Sequence, residues 1–87
     1  MIEILRASVL DGSPVRMVSI DPAENRARFY EIQVCPNLFG EWSIVRQWGR
    51  IGKPCRLRVD LCVSAAEAEK RAAAILKRRV RRRYAFE

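Results

Sequence analysis

The hydrophobic pattern changes its period once, at Ser64, and this change sets the order of the secondary structure. Before Ser64, apolar residues alternate with polar or charged ones over 28–34, 42–48 and, most clearly, 55–63. A period of two is typical of strands with one buried face. Beyond Ser64 the apolar residues recur at the three- and four-residue spacing of a helix face; they are Ala68, Ala72, Ile75, Leu76, Val80 and Tyr84. The sequence therefore predicts strands first and one helix last, an α+β fold.

Turn residues and a helix cap predict the boundaries of these elements. The β-branched run from Val15 to Ile20 stops at an Asp-Pro pair, which indicates a first strand. Residues 64–67, Ser-Ala-Ala-Glu, match a capping box, in which the serine oxygen accepts an amide of the first turn and the glutamate accepts the serine amide. We expect an antiparallel sheet of about four strands with one C-terminal helix packed across it. Residues 1–14 are interpreted as an N-terminal extension or an extra edge strand, and 15–87 as the domain.

The net charge of +7 on 87 residues is unevenly distributed. Residues 64–87 carry eight basic and three acidic side chains, whereas residues 1–63 carry nine basic and seven acidic ones. A chain of this length has room for one hydrophobic core, so the excess charge should lie on a face of a single domain. Clustered Lys and Arg are typical of proteins that bind phosphates. The alternative is a surface that only keeps the protein soluble.

Several classes of site are disfavoured by the composition. The chain has no histidine, and its cysteines, Cys35, Cys55 and Cys62, are odd in number and lack a C-x-x-C spacing. A metal site is therefore not expected, and free thiols in a reducing compartment are the simplest interpretation. Acid–base catalysis would lack its usual histidine, and no phosphate-cradling loop of Walker spacing occurs, so we expect neither an enzyme nor a cofactor nor a small-molecule substrate.

The sequence also gives no sign of membrane targeting. An acid, Glu3, stands where a secretory signal needs a basic start, and no run approaches the roughly 20 apolar residues that span a bilayer. We therefore expect a cytoplasmic protein with no membrane partner. Association with the nucleoid would be compatible with its charge.

The segment Arg46-Gln47-Trp48-Gly49-Arg50-Ile51-Gly52 is the strongest candidate for a binding site. It ends a predicted strand and enters a turn through two glycines, which can adopt positive φ or admit a second backbone. An indole and a guanidinium held on such a turn are the groups that stack on bases and bind phosphates. Trp48 is expected to be exposed, although packing in the core is the alternative. Arg50 is either a phosphate ligand or an anchor of the turn to a carboxylate such as Glu41 or Glu31.

Trp48-Gly49-Arg50, followed by Ile51-Gly52, resembles the signature of the WGR domain, which occurs in poly(ADP-ribose) polymerases and in small bacterial proteins. Three flanking segments are also similar to that family; they are Asn25 to Val34, Leu38 to Trp42, and Glu67-Ala68. The resemblance covers about residues 15 to 86. It implies a WGR-like fold, a tryptophan that packs against DNA near a strand end, and an arginine used in contacts between domains as well as near DNA.

Two positions depart from the family pattern. Cys55 stands near the place of a further glycine, so the path of the 52–56 turn is not carried over from the family. Arg83 stands where a glycine often precedes the terminal aromatic residue, which here is Tyr84. The second departure suggests a longer helix.

The leading hypothesis is a non-enzymatic DNA-binding module that engages ends, nicks or single-stranded stretches, with RNA as the alternative polyanion. The second hypothesis is a protein-interaction module that docks an acidic partner. Basic strand residues would position a phosphate backbone or would only be solvated. The basic run near the helix end would bind, or would only complement the helix dipole. The candidate binding residues are Trp48, Gly49, Arg50, Arg46, Lys53, Arg56, Arg58, Lys77, Arg78, Arg81 and Arg82.

Overall fold

The computed structural model describes residues 13–87, and its chain forms strands first and one long helix after them. The elements in chain order are β1 (Val15–Asp21), a 3-10 helix (Pro22–Glu24), β2 (Arg26–Pro36), β3 (Trp42–Arg50), β4 (Arg56–Cys62), α1 (Ala65–Arg81) and β5 (Ala85–Phe86). The predicted α+β architecture is confirmed. The predicted extension or edge strand at 1–14 falls almost wholly outside the described residues, and residues 13 and 14 precede β1 without regular structure.

The five strands form one antiparallel sheet in the order β4-β3-β2-β1-β5. The first four strands follow one another as a meander, so each connection is a turn between neighbours. The chain then crosses one face of the sheet as α1 and reaches the opposite edge, where β5 pairs with β1. The prediction of about four strands missed β5, which has two residues and therefore shows no hydrophobic period.

The core lies between α1 and one face of the sheet. On the helix side of β2 the buried side chains are Tyr30, Ile32 and Val34, as the alternation predicts, whereas Phe29 is buried on the opposite face, beneath Arg16. The three helix-side residues meet residues of the other elements that are also buried; these are Val15, Met17, Ile44, Cys62, Ala68, Ala72, Ile75 and Leu76. The predicted helical stripe is buried at its first four positions, whereas Val80 is 43% exposed and Tyr84 follows the helix. The helix thus covers the centre of the sheet and leaves its last turn at the surface.

Both ends of α1 are capped by hydrogen bonds. Ser64 Oγ accepts the amide of Glu67 at 3.1 Å, as predicted. The Glu67 carboxylate accepts the amide of Val63 at 3.2 Å and not that of Ser64, so the reciprocal half of the predicted capping box is displaced by one residue. At the other end the helix stops at Arg81, and Arg83 adopts a left-handed φ of 68°. The expectation of a longer helix was wrong, because Arg83 takes the conformation that the family's glycine would supply.

The alternating strand β4 turns its charged side toward the helix and its apolar side toward solvent, and of its residues only Cys62 is buried. Its register with β3 pairs Cys62 with Trp42 and Asp60 with Ile44, which places these residues on the helix side of the sheet. Leu57, Val59 and Leu61 consequently lie on the open face, where they are 60%, 52% and 56% exposed. The helix buries only the end of this edge strand at Cys62, so alternation alone does not show which side of β4 faces the core.

Candidate functional site

The turn after β3 is fixed by both of its glycines. A Cβ at Gly49 would lie 3.3 Å from the Cα of Cys55, so this residue allows the returning backbone to approach. Gly52 has a φ of +82°, the left-handed conformation that glycine adopts without a steric penalty. The amide of Lys53 closes the turn by donating to the carbonyl of Arg50 at 3.1 Å. Of the two uses of glycine expected from the sequence, Gly49 provides the close backbone approach and Gly52 the positive φ.

Trp48 is half-buried on the helix side of the sheet, which is less exposure than the sequence hypothesis assumed. Its ring stacks on Tyr30 with the centroids 5.9 Å apart and the planes 23° apart. Tyr30 is fully buried, and the guanidinium carbon of Arg79 lies 4.2 Å from its ring centroid. The indole is thus supported by a rigid aromatic neighbour beside a cation.

Arg50 is anchored by Asn25 and not by either of the expected carboxylates. Its Nη1 donates to the backbone carbonyl of Asn25 at 2.9 Å, and its Nη2 donates to Asn25 Oδ1 at 3.0 Å. Both acceptors are neutral, so Arg50 keeps its full positive charge while it is held in place. Its side chain is exposed, and it therefore combines a structural role with an available cation.

Asp60, on the helix side of β4, is shared by two arginines. Arg46 Nη2 donates to its carboxylate at 2.8 Å, and Arg58 Nε donates to it at 3.1 Å. Burial alone would raise the pKa of Asp60, but the hydrogen bond from Arg58 and the charges of both arginines outweigh burial and lower the pKa. For Arg46 burial would lower the pKa, whereas its bonds to Tyr30 and Asp60 raise it. Asp60 and Arg46 are therefore both charged at neutral pH.

Three adjoining cavities lie between the C-terminal half of α1 and the strands β3 and β4. The first shares Arg79 and Arg82 with the second, and it shares Arg46 and Arg78 with the third, so the three form one continuous groove. Trp48, Gly49 and Tyr84 line the second cavity, and Asp60 lines the third. We call this the arginine groove; its arginines are Arg28, Arg46, Arg50, Arg56, Arg58, Arg71, Arg78, Arg79 and Arg82. One carboxylate among nine guanidinium groups leaves the groove strongly positive.

Eight of the eleven candidate residues line the arginine groove; they are Trp48, Gly49, Arg50, Arg46, Arg56, Arg58, Arg78 and Arg82. Lys53, Lys77 and Arg81 line none of the three cavities. Lys53 is in the turn, and Lys77 and Arg81, four residues apart, share an exposed side of the helix.

Sequence reasoning missed Arg28, Arg71, Arg79 and Tyr84 as groove residues. Two features of the sequence could have identified Arg71 and Arg28. Arg71 is seven residues before Arg78 and therefore lies on the same helix edge. Arg28 pairs directly with Arg50 in the β2–β3 ladder, so a hairpin register centred on the 37–41 connection would have placed the two side by side.

The described residues show no alternative metal or membrane site. Among residues 13–87 no three His, Cys, Asp or Glu side chains come together as metal ligands, and Cys35, Cys55 and Cys62 are free thiols. In the same part of the chain, α1 is too short and too polar to cross a bilayer.

Comparison with known proteins places the chain in a family. The family model of the WGR domain matches residues 13–87, which is nearly the whole chain. The uncharacterized protein y4dW of Sinorhizobium fredii is 34% identical over 61 residues, a match that covers 68% of this chain and 30% of that protein. The chain thus corresponds to under a third of its relative's length. No solved structure matches it significantly. The match over 13–87 includes the strands, the glycine turn and the helix that form the arginine groove, and the chain therefore belongs to the WGR domain family.

Proposed function

We propose that the protein is a non-enzymatic module that binds DNA in the arginine groove, at ends, nicks or single-stranded stretches. The observation that carries this proposal is the convergence of nine arginines from β2, β3, β4, α1 and the C-cap of α1 on one groove lined by a single carboxylate. A guanidinium group can donate two parallel hydrogen bonds to a phosphate, and a row of such groups displaces the counterions of a polyanion. In the cytoplasm the DNA of the nucleoid would supply this ligand.

Trp48 supports the preference for ends and unpaired stretches. Its ring lines the same cavity as Arg50 and Arg56, and its stacking on buried Tyr30 holds it in place before the ligand arrives. A base or sugar exposed at a strand end would pack against this preorganised indole, an interaction of about 1–3 kcal/mol for a stacked base. Within an intact duplex the bases are stacked on one another, so this contact would be lost.

The proposed binding depends on charge and reads little sequence. The cations of the arginine groove would contact phosphates, which position a nucleic acid without identifying its bases. Membership of a family that often binds nucleic acid also supports this function. RNA would satisfy the same cations, so the distinction between DNA and RNA is left to the binding measurement.

Fluorescence anisotropy of labelled oligonucleotides tests the proposal with a matched pair of variants. R78A/R82A removes two cations from the arginine groove, whereas K77A/R81A removes two exposed cations from the same helix outside it. Binding to a nicked or recessed duplex at low salt should be weakened far more by the first variant. For R78A/R82A the slope of log binding constant against log salt concentration should also become shallower by about two units, since each phosphate contact contributes about −0.9. W48A should weaken binding to nicked and recessed duplexes more than binding to an intact one.

Three results would contradict the proposal. The first is absence of binding to any of these oligonucleotides at low salt, and the second is an equal loss in the two double variants, which would indicate net charge without a defined groove. The third is undiminished binding by W48A. Binding to an acidic peptide with no binding to DNA would instead favour a protein partner.

A further inference from the structure

The outer edge of β4 has no neighbouring strand among residues 13–87. It combines this open edge with an apolar surface, because Leu57, Val59 and Leu61 are each more than half exposed on the open face of the sheet. Exposed apolar edge strands usually carry features that prevent pairing with another chain, such as proline or a charge on the outward face. Between Arg56 and Cys62 there is no proline, and the charged side chains of β4 point to the other face.

The ladder shows which backbone groups of β4 face outward. The amide of Ile51 donates to the carbonyl of Ala27 at 2.8 Å, so these two residues extend the β2–β3 ladder as a hydrogen-bonded pair. Because hydrogen-bonded pairs recur at every second residue, the odd-numbered residues of β3 bond to β2 and the even-numbered ones bond to β4. The even-numbered residues of β4 therefore bond to β3. Leu57, Val59 and Leu61 direct their amides and carbonyls away from the sheet.

The charges of β4 select one way for two copies of this strand to pair. In an antiparallel pairing centred on Val59, Arg58 lies opposite the partner's Asp60, and Leu57 lies opposite the partner's Leu61. Centring the pairing on Arg58 or on Asp60 would bring like charges together, which destabilises cross-strand pairs. The centre at Val59 also pairs all seven residues of the strand, Arg56–Cys62.

We propose that the outer edge of β4 binds a second copy of this chain and joins the two sheets across a two-fold axis at Val59. The partner's strand would satisfy the outward amides and carbonyls, and the leucines of the two copies would cover each other. The axis is perpendicular to the sheet, so both helices and both arginine grooves lie on the same side. Arg58 belongs to the arginine groove and lies one residue from the axis, which places the two grooves next to each other. This proposal does not require the ligand of the groove to be DNA.

Site-specific disulfide formation tests the pairing directly in a C55S background, since Cys55 is the exposed native thiol. Directly opposite residues in a hydrogen-bonded antiparallel pair have Cα atoms about 5.5 Å apart, within the range that a disulfide requires. Under mild oxidation V59C should form a covalent homodimer. L57C and L61C should each form no cross-link alone, because each cysteine lies opposite a leucine of the partner, and they should form a covalent heterodimer when mixed. Equal cross-linking at all three positions, or none at Val59, would overturn the proposed register.

Sedimentation at several protein concentrations tests the dimer without cross-linking, in moderate salt that screens the net charge of +7. V59P should sediment as a folded monomer, because the amide it removes points outward and proline is tolerated at such edge positions. V59K should also be monomeric, since two lysines would meet at the axis. I20K is the matched control, because Ile20 is also an exposed apolar residue, at 60%, but lies on β1. A wild type that stays monomeric at every concentration, or a V59P that dimerises as well as wild type, would overturn the proposal.

Discussion

Arg50 holds Asn25 through two hydrogen bonds, from Nη1 to the backbone carbonyl at 2.9 Å and from Nη2 to Oδ1 at 3.0 Å. Asn25 ends the 3-10 helix before β2 with a left-handed φ of 51°, and Arg50 ends β3. The pair therefore joins the turn that enters one strand to the turn that leaves its neighbour. It also orients the guanidinium at the mouth of the arginine groove without neutralising it.

The first prediction separates the anchoring of Arg50 from its charge. N25G keeps the left-handed backbone and the carbonyl but removes Oδ1, so the free energy of unfolding should fall by up to about 1 kcal/mol, since the lost hydrogen bond outweighs the easier left-handed φ of glycine. R50A removes the cation as well, and its log–log salt slope for DNA binding should become shallower by about one unit. Urea denaturation and anisotropy titrations measure the two effects. If N25G weakened binding as much as R50A does, the orientation of Arg50 would matter more than its charge.

The second prediction concerns the pH dependence that Asp60 contributes. The pKa of Asp60 in the folded protein is lowered, mainly by Arg58 and Arg46 acting against burial. A lowered carboxyl pKa stabilises the fold above the unfolded value of about 4, and this contribution disappears as the pH falls through the folded pKa. D60N should be less stable than wild type by about 2 kcal/mol at neutral pH. The difference should stay constant down to about pH 5 and shrink below pH 4.

Chemical denaturation of wild type and D60N across this pH range provides the measurement. The same variant should bind DNA more tightly at neutral pH, because Asp60 is the carboxylate that lines the arginine groove. A stability difference that grew toward low pH would have the wrong sign for a lowered pKa. It would show that Arg46 and Arg58 do not stabilise the ionised carboxylate.

The buried face of a strand could be predicted from its alternation wherever the helix covers the apolar residues of that strand. Tyr30, Ile32 and Val34 alternate within a strand that has neighbours on both sides and the helix above it, so their period shows the buried face directly. The period fails at β4, where the helix covers only the end of an edge strand and the face is decided by the β3 register. It also fails at β5, which is too short to show a period.

The sequence predicted the site residues that are neighbours in the chain, but not those brought to the site from distant segments by the fold. Trp48, Gly49 and Arg50 belong to one turn, and the sequence alone brings them together. Arg79 joins them only because α1 crosses the sheet at an angle that places its last turns over Tyr30. Ala68 and Ala72 are fully buried against the sheet, but the helical period that marks them does not show how the helix is oriented on the strands. Trp48 was expected to be more exposed because this helix crossing was unknown.

The third prediction tests the close approach at the glycine of the signature. A Cβ at Gly49 would lie 3.3 Å from the Cα of Cys55, and a backbone atom cannot move away as a flexible side chain could. G49A should therefore lower the free energy of unfolding by about 1–2 kcal/mol through overpacking. Thermal denaturation followed by circular dichroism measures this loss. An unchanged midpoint would mean that the 52–56 turn shifts freely, and the turn would then not hold Trp48 and Arg50 in fixed positions.

The fourth prediction concerns the left-handed residue that ends α1. The amide of Arg83 donates to the carbonyl of Val80 at 3.1 Å, and the amide of Tyr84 donates to that of Arg79 at 3.0 Å. These two bonds form a Schellman motif, whose left-handed position is usually glycine. Arg83 occupies it with a φ of 68°, a conformation that costs an L-residue about 1–2 kcal/mol.

R83G should consequently raise the free energy of unfolding, by about 1 kcal/mol after the greater freedom of glycine in the unfolded chain is subtracted. R81G is the matched control, since it removes the same charge two residues earlier, where the backbone is helical and glycine should destabilise by up to about 1 kcal/mol. Urea denaturation of the two variants should therefore give changes of opposite sign. Destabilisation by both would show that the side chain of Arg83 contributes more to the fold than its backbone conformation costs.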